Sequence, residues 1–168
     1  MTGILAGLRI VEGSACIPAP LGCLTLAQLG ADVIRFDDIK GGLDSDRWPI
    51  TKDGRSIYWA GLNKGKRSIQ LDLRHPEGQE LLARLITAPG KDAGVFLTNL
   101  PARGVLTYEA LQARRDDLIM AALTGNADGS SEVDYTVNAA IGFPLVTGPR
   151  GATAPVNAVL PAWDIALG

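Results

Sequence analysis

Leu8-Arg-Ile-Val-Glu-Gly13, Ser14-Ala-Cys-Ile-Pro-Ala-Pro-Leu-Gly22, Cys23-Leu-Thr-Leu-Ala-Gln-Leu-Gly30 and Ala31-Asp-Val-Ile-Arg-Phe36 follow one another without a break. The first piece alternates apolar and polar residues through Leu8, Ile10 and Val11, as a strand does. The second is a loop of small residues, stiffened by Pro18 and Pro20. Leu21, Leu24 and Leu29 then share one face of a helix-period segment. Gly30 stops it, because glycine adopts the left-handed backbone of a helix end without steric cost. Val33, Ile34 and Phe36 return to strand character. A strand, loop, helix and strand in this order make a parallel pair. Ligands in open α/β sheets bind outside the carboxyl ends of the strands, which is where the 13–22 loop belongs.

The 168 residues fit one α/β domain, 1–168, and a chain of that size buries about 70% of the surface it exposes when unfolded. Eighteen acidic against sixteen basic residues leave a net charge of −2, so no global basic field recommends nucleic acid. The two cysteines, Cys16 and Cys23, and the single histidine, His75, form neither a metal pattern nor a disulfide framework, and a reducing cytoplasm is the expected setting. No basic, apolar leader opens the chain, and no apolar run is long enough for a membrane span.

Beyond Phe36 the pattern lapses through Asp37-Asp-Ile-Lys-Gly-Gly-Leu-Asp-Ser-Asp-Arg-Trp-Pro49 and on to Gly54. A connection this long within a domain is more often functional than filler. Strand alternation resumes at Ile69, Leu71 and Leu73. Pro76 suits a first helical turn, Glu77 and Glu80 its positive end, and Leu81, Leu82, Leu85 and Ile86 its inner face. Gly94–Thr98 is a short strand, Thr107 caps a helix running to about Arg115, and Leu118–Leu123 is another strand. Strands near 8–12, 33–36, 68–73, 94–98 and 118–123, separated mostly by helices, predict a Rossmann-like, doubly wound, mostly parallel sheet. From Thr124 small residues and glycines dominate, until Val159-Leu-Pro-Ala-Trp-Asp164 opens a helix at the end of the chain.

Four features carry chemistry. Lys64, Lys66 and Arg67, beside Gly61 and Gly65, have the composition to hold phosphates, although on pattern alone a solvated basic loop is the better reading. The 13–22 loop lacks the G-x-G-x-x-G dinucleotide fingerprint, and its small residues fit either ligand approach or tight packing. Cys16 has no histidine within reach as a base, so a small, buried or half-buried thiol is the simpler account, and His75 reads as a cap or a surface group. Asp164 at a helix start reads first as a cap.

Taken together, Leu5-Ala-Gly-Leu-Arg-Ile-Val-Glu12, Ala27-Gln-Leu-Gly-Ala-Asp-Val-Ile-Arg-Phe36, Asn63-Lys-Gly-Lys-Arg-Ser-Ile-Gln-Leu-Asp-Leu73 and Pro76-Glu-Gly-Gln-Glu-Leu-Leu82 resemble the class III coenzyme A transferases, in register along the chain. Glu12-Gly-Ser-Ala15, Trp59–Ser68, Ser131–Asn138 and Leu160–Asp164 are most similar to members that move CoA between the two carboxyl groups of an unsaturated C5 diacid. The resemblance implies the amino-terminal part of that fold, with an acyl-CoA thioester and a carboxylic acid as substrates and no permanent cofactor or metal. It implies that Ala15, Cys16, Ile17, Pro18, Lys66, Asn99 and Arg103 hold CoA, with Lys64 and Arg67 completing a basic turn at its phosphates. Asp164 would be the nucleophile, forming an aspartyl anhydride and then an aspartyl-CoA thioester. The racemase branch carries a histidine where Ser131 stands, so proton exchange next to the thioester is disfavoured. Family members are more than twice as long and form homodimers. A truncated chain, inactive or partner-dependent by itself, is therefore expected, and a non-catalytic CoA-binding scaffold and an intermolecular CoA transferase are the alternatives.

Overall fold

The structure, a computed structural model, describes residues 3–168. Five strands, β1 (Arg9–Gly13), β2 (Asp32–Asp38), β3 (Arg67–Leu71), β4 (Val95–Thr98) and β5 (Ile119–Ala122), form one sheet in the order β3-β2-β1-β4-β5. Every pairing is parallel. The doubly wound sheet expected from the alternation is present, with strand limits shifted by no more than two residues.

Side-chain alternation along the central strands divides the core in two. Val11, Phe36 and Phe96 point to one face, where they meet Leu82, Ala83 and Ile86 of α3 (Pro76–Ile86) and Leu111 of α4 (Tyr108–Gln112). Ile10 and Val33 point to the other face, against Cys23 of α1 (Pro18–Gln28). Leu82 is fully buried, and its truncation to alanine would cost about 2–5 kcal/mol.

The inner faces of two helices differ from the expected ones. In α1 the buried residues are Ala19, Pro20 and Cys23, whereas Leu29 is exposed. Small side chains let this helix lie close to the sheet, and leucines there would hold it off. In α3 the buried stripe is Leu82, Ala83 and Ile86, and Leu81 faces solvent. Thr107 does cap α4, accepting from the Ala110 N–H, but the helix ends at Gln112. Arg115 lies beyond it, its guanidinium drawn to Asp117 and to the carbonyls of Ala88 and Gly90.

The long connection after β2 contains a short helix, α2 (Ile57–Leu62), that the sequence pattern did not announce. Ser56 caps it by accepting from the Trp59 N–H at 3.0 Å. The small-residue tail holds α5 (Asp134–Ala140), likewise unannounced, and α6 (Ala162–Leu167), which starts where a helix was expected. Among the described residues no helix is long and apolar enough to cross a membrane.

Candidate functional site: the loop after β1 and the first turn of α6

β1 is central, with β2 on one side and β4 on the other. Chain direction therefore divides at the carboxyl ends of β1 and β4, leaving a crevice between the loops that follow them. Both loops are fastened there. The Thr98 hydroxyl donates to the Gly13 carbonyl at 2.7 Å. The Asn99 amide pairs with the Ala15 backbone in both directions, accepting from its N–H at 2.9 Å and donating to its carbonyl at 2.8 Å. Asn99, expected to hold CoA, thus spends its amide on the shape of the loop that carries Ala15–Pro18.

Cys16 stands at φ +63°, in the left-handed region that a non-glycine residue enters at a cost of about 1–2 kcal/mol. Its N–H turns inward to Asp44 at 3.1 Å, and the residue is exposed instead of buried or half-buried as expected. Although the residue as a whole is exposed, neighbouring atoms partly screen its thiol from water, and this, then the charge of Asp44, pushes the Cys16 pKa upward, so this is no ready thiolate nucleophile. Ile17 flanks α1 without a side-chain cap, and Pro18 opens the helix. Because Pro18 and Pro20 have no N–H, the first turn is a poor anion cradle.

Beneath the loop lies a buried network of charge. The Arg35 guanidinium, 1% exposed, reaches Asp37 at 2.8 Å, the Ser14 carbonyl at 2.9 Å, Asn63 at 3.2 Å and both Glu12 and Asp44 at 3.4 Å. The Trp59 ring covers it at 5.7 Å. Lys66 enters the same network from the far side. Its ammonium, also 1% exposed, lies 2.7 Å from Glu12, 2.9 Å from the Pro20 carbonyl and 3.0 Å from Asn63. Burial pushes the Lys66 pKa down, and Glu12 opposes that shift.

The basic turn is therefore divided. Lys66 supports the loop and the first turn of α1 from inside. Arg67 runs back along the sheet edge to Asp32 at 3.0 Å, and Lys64 stays exposed. Arg103, just after β4, is also exposed. His75 flanks α3 as an exposed residue and makes no side-chain cap.

Asp164 sits in the first turn of α6 but is not its cap. The capping group comes from α5: the buried Asp134 carboxylate accepts from the N–H groups of Trp163 at 2.7 Å and Asp164 at 3.2 Å, and Asn138 donates to its other oxygen at 2.7 Å. α6 also leans on α1, with Gly168 against Leu21 and the Pro18 carbonyl. Trp163 meets Phe143 edge-on, with ring centres 5.4 Å apart. These contacts hold the half-buried Asp164 carboxyl beside the opening loop. Burial raises its pKa, the Asp134 charge adds to the rise, and Arg47 works against it. Asp164 in turn acts on Cys16 and on Tyr58, whose phenol is pushed up to about 12, chiefly by burial. A carboxylate beside a backbone loop at the switch point of the sheet is placed to attack a carbonyl held there.

The model for CoA-transferase family III matches residues 5–168. The chain belongs to CoA-transferase family III. It is 65% identical to the 2-methylfumaryl-CoA isomerase of Chloroflexus aurantiacus over the whole chain, and 33% identical to the succinate–glutarate CoA-transferase of Agrobacterium fabrum over 98% of it. A CAIB/BAIF family protein from Brucella suis superposes with a TM-score of 0.84 at 31% identity, over 98% of this chain and 46% of that one. The chain spans 41% and 44% of the length of the two curated relatives.

In this family III chain the structure ties Ala15 to Asn99, sets Asp164 near enough to Cys16 for its charge to be felt there, buries Lys66 against Glu12, and leaves Lys64 and Arg67 exposed. Asp44, Arg47, Tyr58 and Asp134 belong to the same surroundings and were missed as single residues. Their available signals were the length of the 37–56 connection and the Ser131–Asn138 stretch.

Proposed function

We propose that this chain contributes the nucleophile and part of the coenzyme site for moving CoA between the two carboxyl groups of an unsaturated C5 diacid, converting 2-methylfumaryl-CoA to 3-methylfumaryl-CoA. The observation that carries the reading is the Asp164 carboxyl, held in the first turn of α6 beside the Ala15–Pro18 loop. The identity of 65% to a 2-methylfumaryl-CoA isomerase supports this choice of acyl group.

One Asp164 oxygen attacks the thioester carbonyl. The C–S bond breaks, CoA leaves as thiolate, and a mixed anhydride joins the aspartate to the diacid. The thiolate then attacks the aspartyl carbonyl and releases the diacid as a dicarboxylate, which gives an aspartyl-CoA thioester. The diacid's other carboxylate attacks that thioester, and the returning thiolate cleaves the new anhydride on the diacid side. Asp164 is regenerated, and no electron or metal is needed to balance the sequence. Ala15, Cys16, Ile17 and Pro18 line the approach of the thioester, and the exposed Arg103 and Lys64 are the cations available to its phosphates. Lys66 acts from beneath by fixing the loop.

The test is mass spectrometry of the chain mixed with 2-methylfumaryl-CoA, with hydroxylamine to trap acyl-enzyme. Migration of CoA and modification at Asp164, both lost in Asp164→Asn, are expected. Equal migration by the variant would remove the nucleophile assignment. The likeness to a succinate–glutarate CoA-transferase supports a second reading, transfer to an external acid, which labelled glutarate or succinate in the same mixture would reveal.

A further inference from the structure

The connection between β2 and α2 carries one arginine on the turn that Asp44 fastens to the opening loop, and nothing in the proposed reaction uses it. Arg47 has its backbone fixed from both sides: its N–H donates to the Asp44 carbonyl at 3.2 Å, and its carbonyl accepts from the Ser56 hydroxyl at 2.5 Å. Asp44 is itself tied to Arg35 and to the Cys16 N–H, so this turn is part of the scaffold that shapes the opening loop. The guanidinium lies over the Tyr58 ring, 4.6 Å from its centre. Among the described residues Arg47, like Arg84, Arg103 and Arg150, holds no carboxylate within 4.0 Å, and of these four it is the one with an aromatic ring beneath its guanidinium. An exposed guanidinium with an anchored backbone, a ring beneath it and no ion-pair partner is preorganised to receive a planar anion.

We infer that Arg47 anchors the free carboxylate of the acyl group, so that the site selects thioesters of dicarboxylic acids. The inference rests on the functional reading above and adds to it the group that recognises the far end of the substrate. Asp44, Asp134 and Asp164 make this region rich in carboxylates, and an incoming dicarboxylic acyl group brings another. Without a free cation at its far end that group would meet these carboxylates unopposed, because Arg35 is already engaged by Asp37, Asp44 and Glu12. A guanidinium fork accepts a carboxylate through two parallel hydrogen bonds and is indifferent to which end of the diacid supplies it. The same anchor therefore serves the substrate and the isomer formed after the acid has turned end for end. Arg47 is also the cation whose charge opposes the upward shift of the Asp164 pKa, which agrees with their being neighbours.

The experiment is calorimetric titration in an Asp164→Asn background, where chemistry is silenced, with two thioesters. One is 2-methylfumaryl-CoA. The other is 2-methylbut-2-enoyl-CoA, in which a methyl group replaces the free carboxylate. Arg47→Gln is expected to weaken binding of the first by about 10- to 100-fold and to leave the second unchanged within about 2-fold. Arg47→Lys, which keeps the charge and loses the fork, falls between. Circular dichroism establishes that each variant is folded, and if the glutamine variant is not, a selective loss with Arg47→Lys decides in its place. Equal losses for both thioesters, or no loss for either, overturn the anchor. Absence of binding of both thioesters before Arg47 is altered refutes the functional reading and the anchor with it.

Discussion

Replacing Lys66 with methionine separates a ligand-facing lysine from a structural one. Its ammonium lies 2.7 Å from Glu12, with the Pro20 carbonyl and Asn63 as its other partners, and both members of the ion pair are shielded from water. The methionine fills much of the same volume but leaves the Glu12 carboxylate with only Arg35 at 3.4 Å and the Ser14 hydroxyl. Breaking one side of a buried pair costs about 3–5 kcal/mol, because the remaining charge stays out of water. For a domain of this size each kcal/mol moves Tm by about 2–4 °C, so a fall of roughly 6–20 °C is expected in thermal denaturation followed by circular dichroism. Adding Glu12→Gln removes the stranded charge and should recover about half of the loss or more. Arg67→Met, which breaks only the exposed pair with Asp32, should cost less than about 1 kcal/mol. A Lys66→Met variant as stable as the parent but tenfold weaker toward CoA would refute the buried-network account and return the side chain to the coenzyme.

Two further outcomes test the placement of Asp164 and the loop. Asp134→Asn keeps an acceptor for the N–H groups of Trp163 and Asp164 but removes the charge that helps hold the Asp164 pKa high. Carbon-13 NMR of the carboxyl groups should show Asp164 titrating at lower pH in the variant, whereas Asp134→Ala should also lose about 1 kcal/mol of stability with the cap. The sign follows from proton binding: with its pKa raised in the folded state, Asp164 favours folding at acid pH, and that contribution is lost as pH rises from the ordinary aspartate value through the raised one. The Asp164 carboxylate, the proposed nucleophile, forms over the same window, and an unchanged titration in Asp134→Asn would refute the coupling. Cys16→Gly should relieve the left-handed strain and leave urea stability unchanged or raised by up to about 1 kcal/mol, with Cys16→Val lowering it. A glycine variant less stable by more than about 1 kcal/mol would show that the side chain contributes packing that outweighs the strain.

Local pattern was sufficient for the sheet. Alternation in Leu8–Val11, the glycine stop at Gly30 and the apolar runs at 33–36 and 94–98 are events within one turn or one strand, so composition announces them. α2 and α5 escaped, and of α6 only the entry at 159–164 was legible, because the stability of these short helices comes from partners outside themselves. α2 has no buried residue, and α6 is capped by a carboxylate from α5. α1 revealed its existence but not its inward face, since Ala19, Pro20 and Cys23 were chosen by the closeness of the sheet, which helical spacing does not encode.

The site divides along the same line. Family motifs in the linear chain were enough to single out Asp164 and the Ala15–Pro18 loop as candidates for the chemistry. Folding alone decided that Lys66 would meet Glu12 across 54 positions, that Asn99 would clasp Ala15 across 84, and that Asp134 would cap the helix carrying Asp164. Hydrophobic periodicity is a property of neighbours and can be read one segment at a time. A buried charge finds its partner only when the backbone has closed around both, and that geometry is what turned the lysine of a basic turn into an internal support.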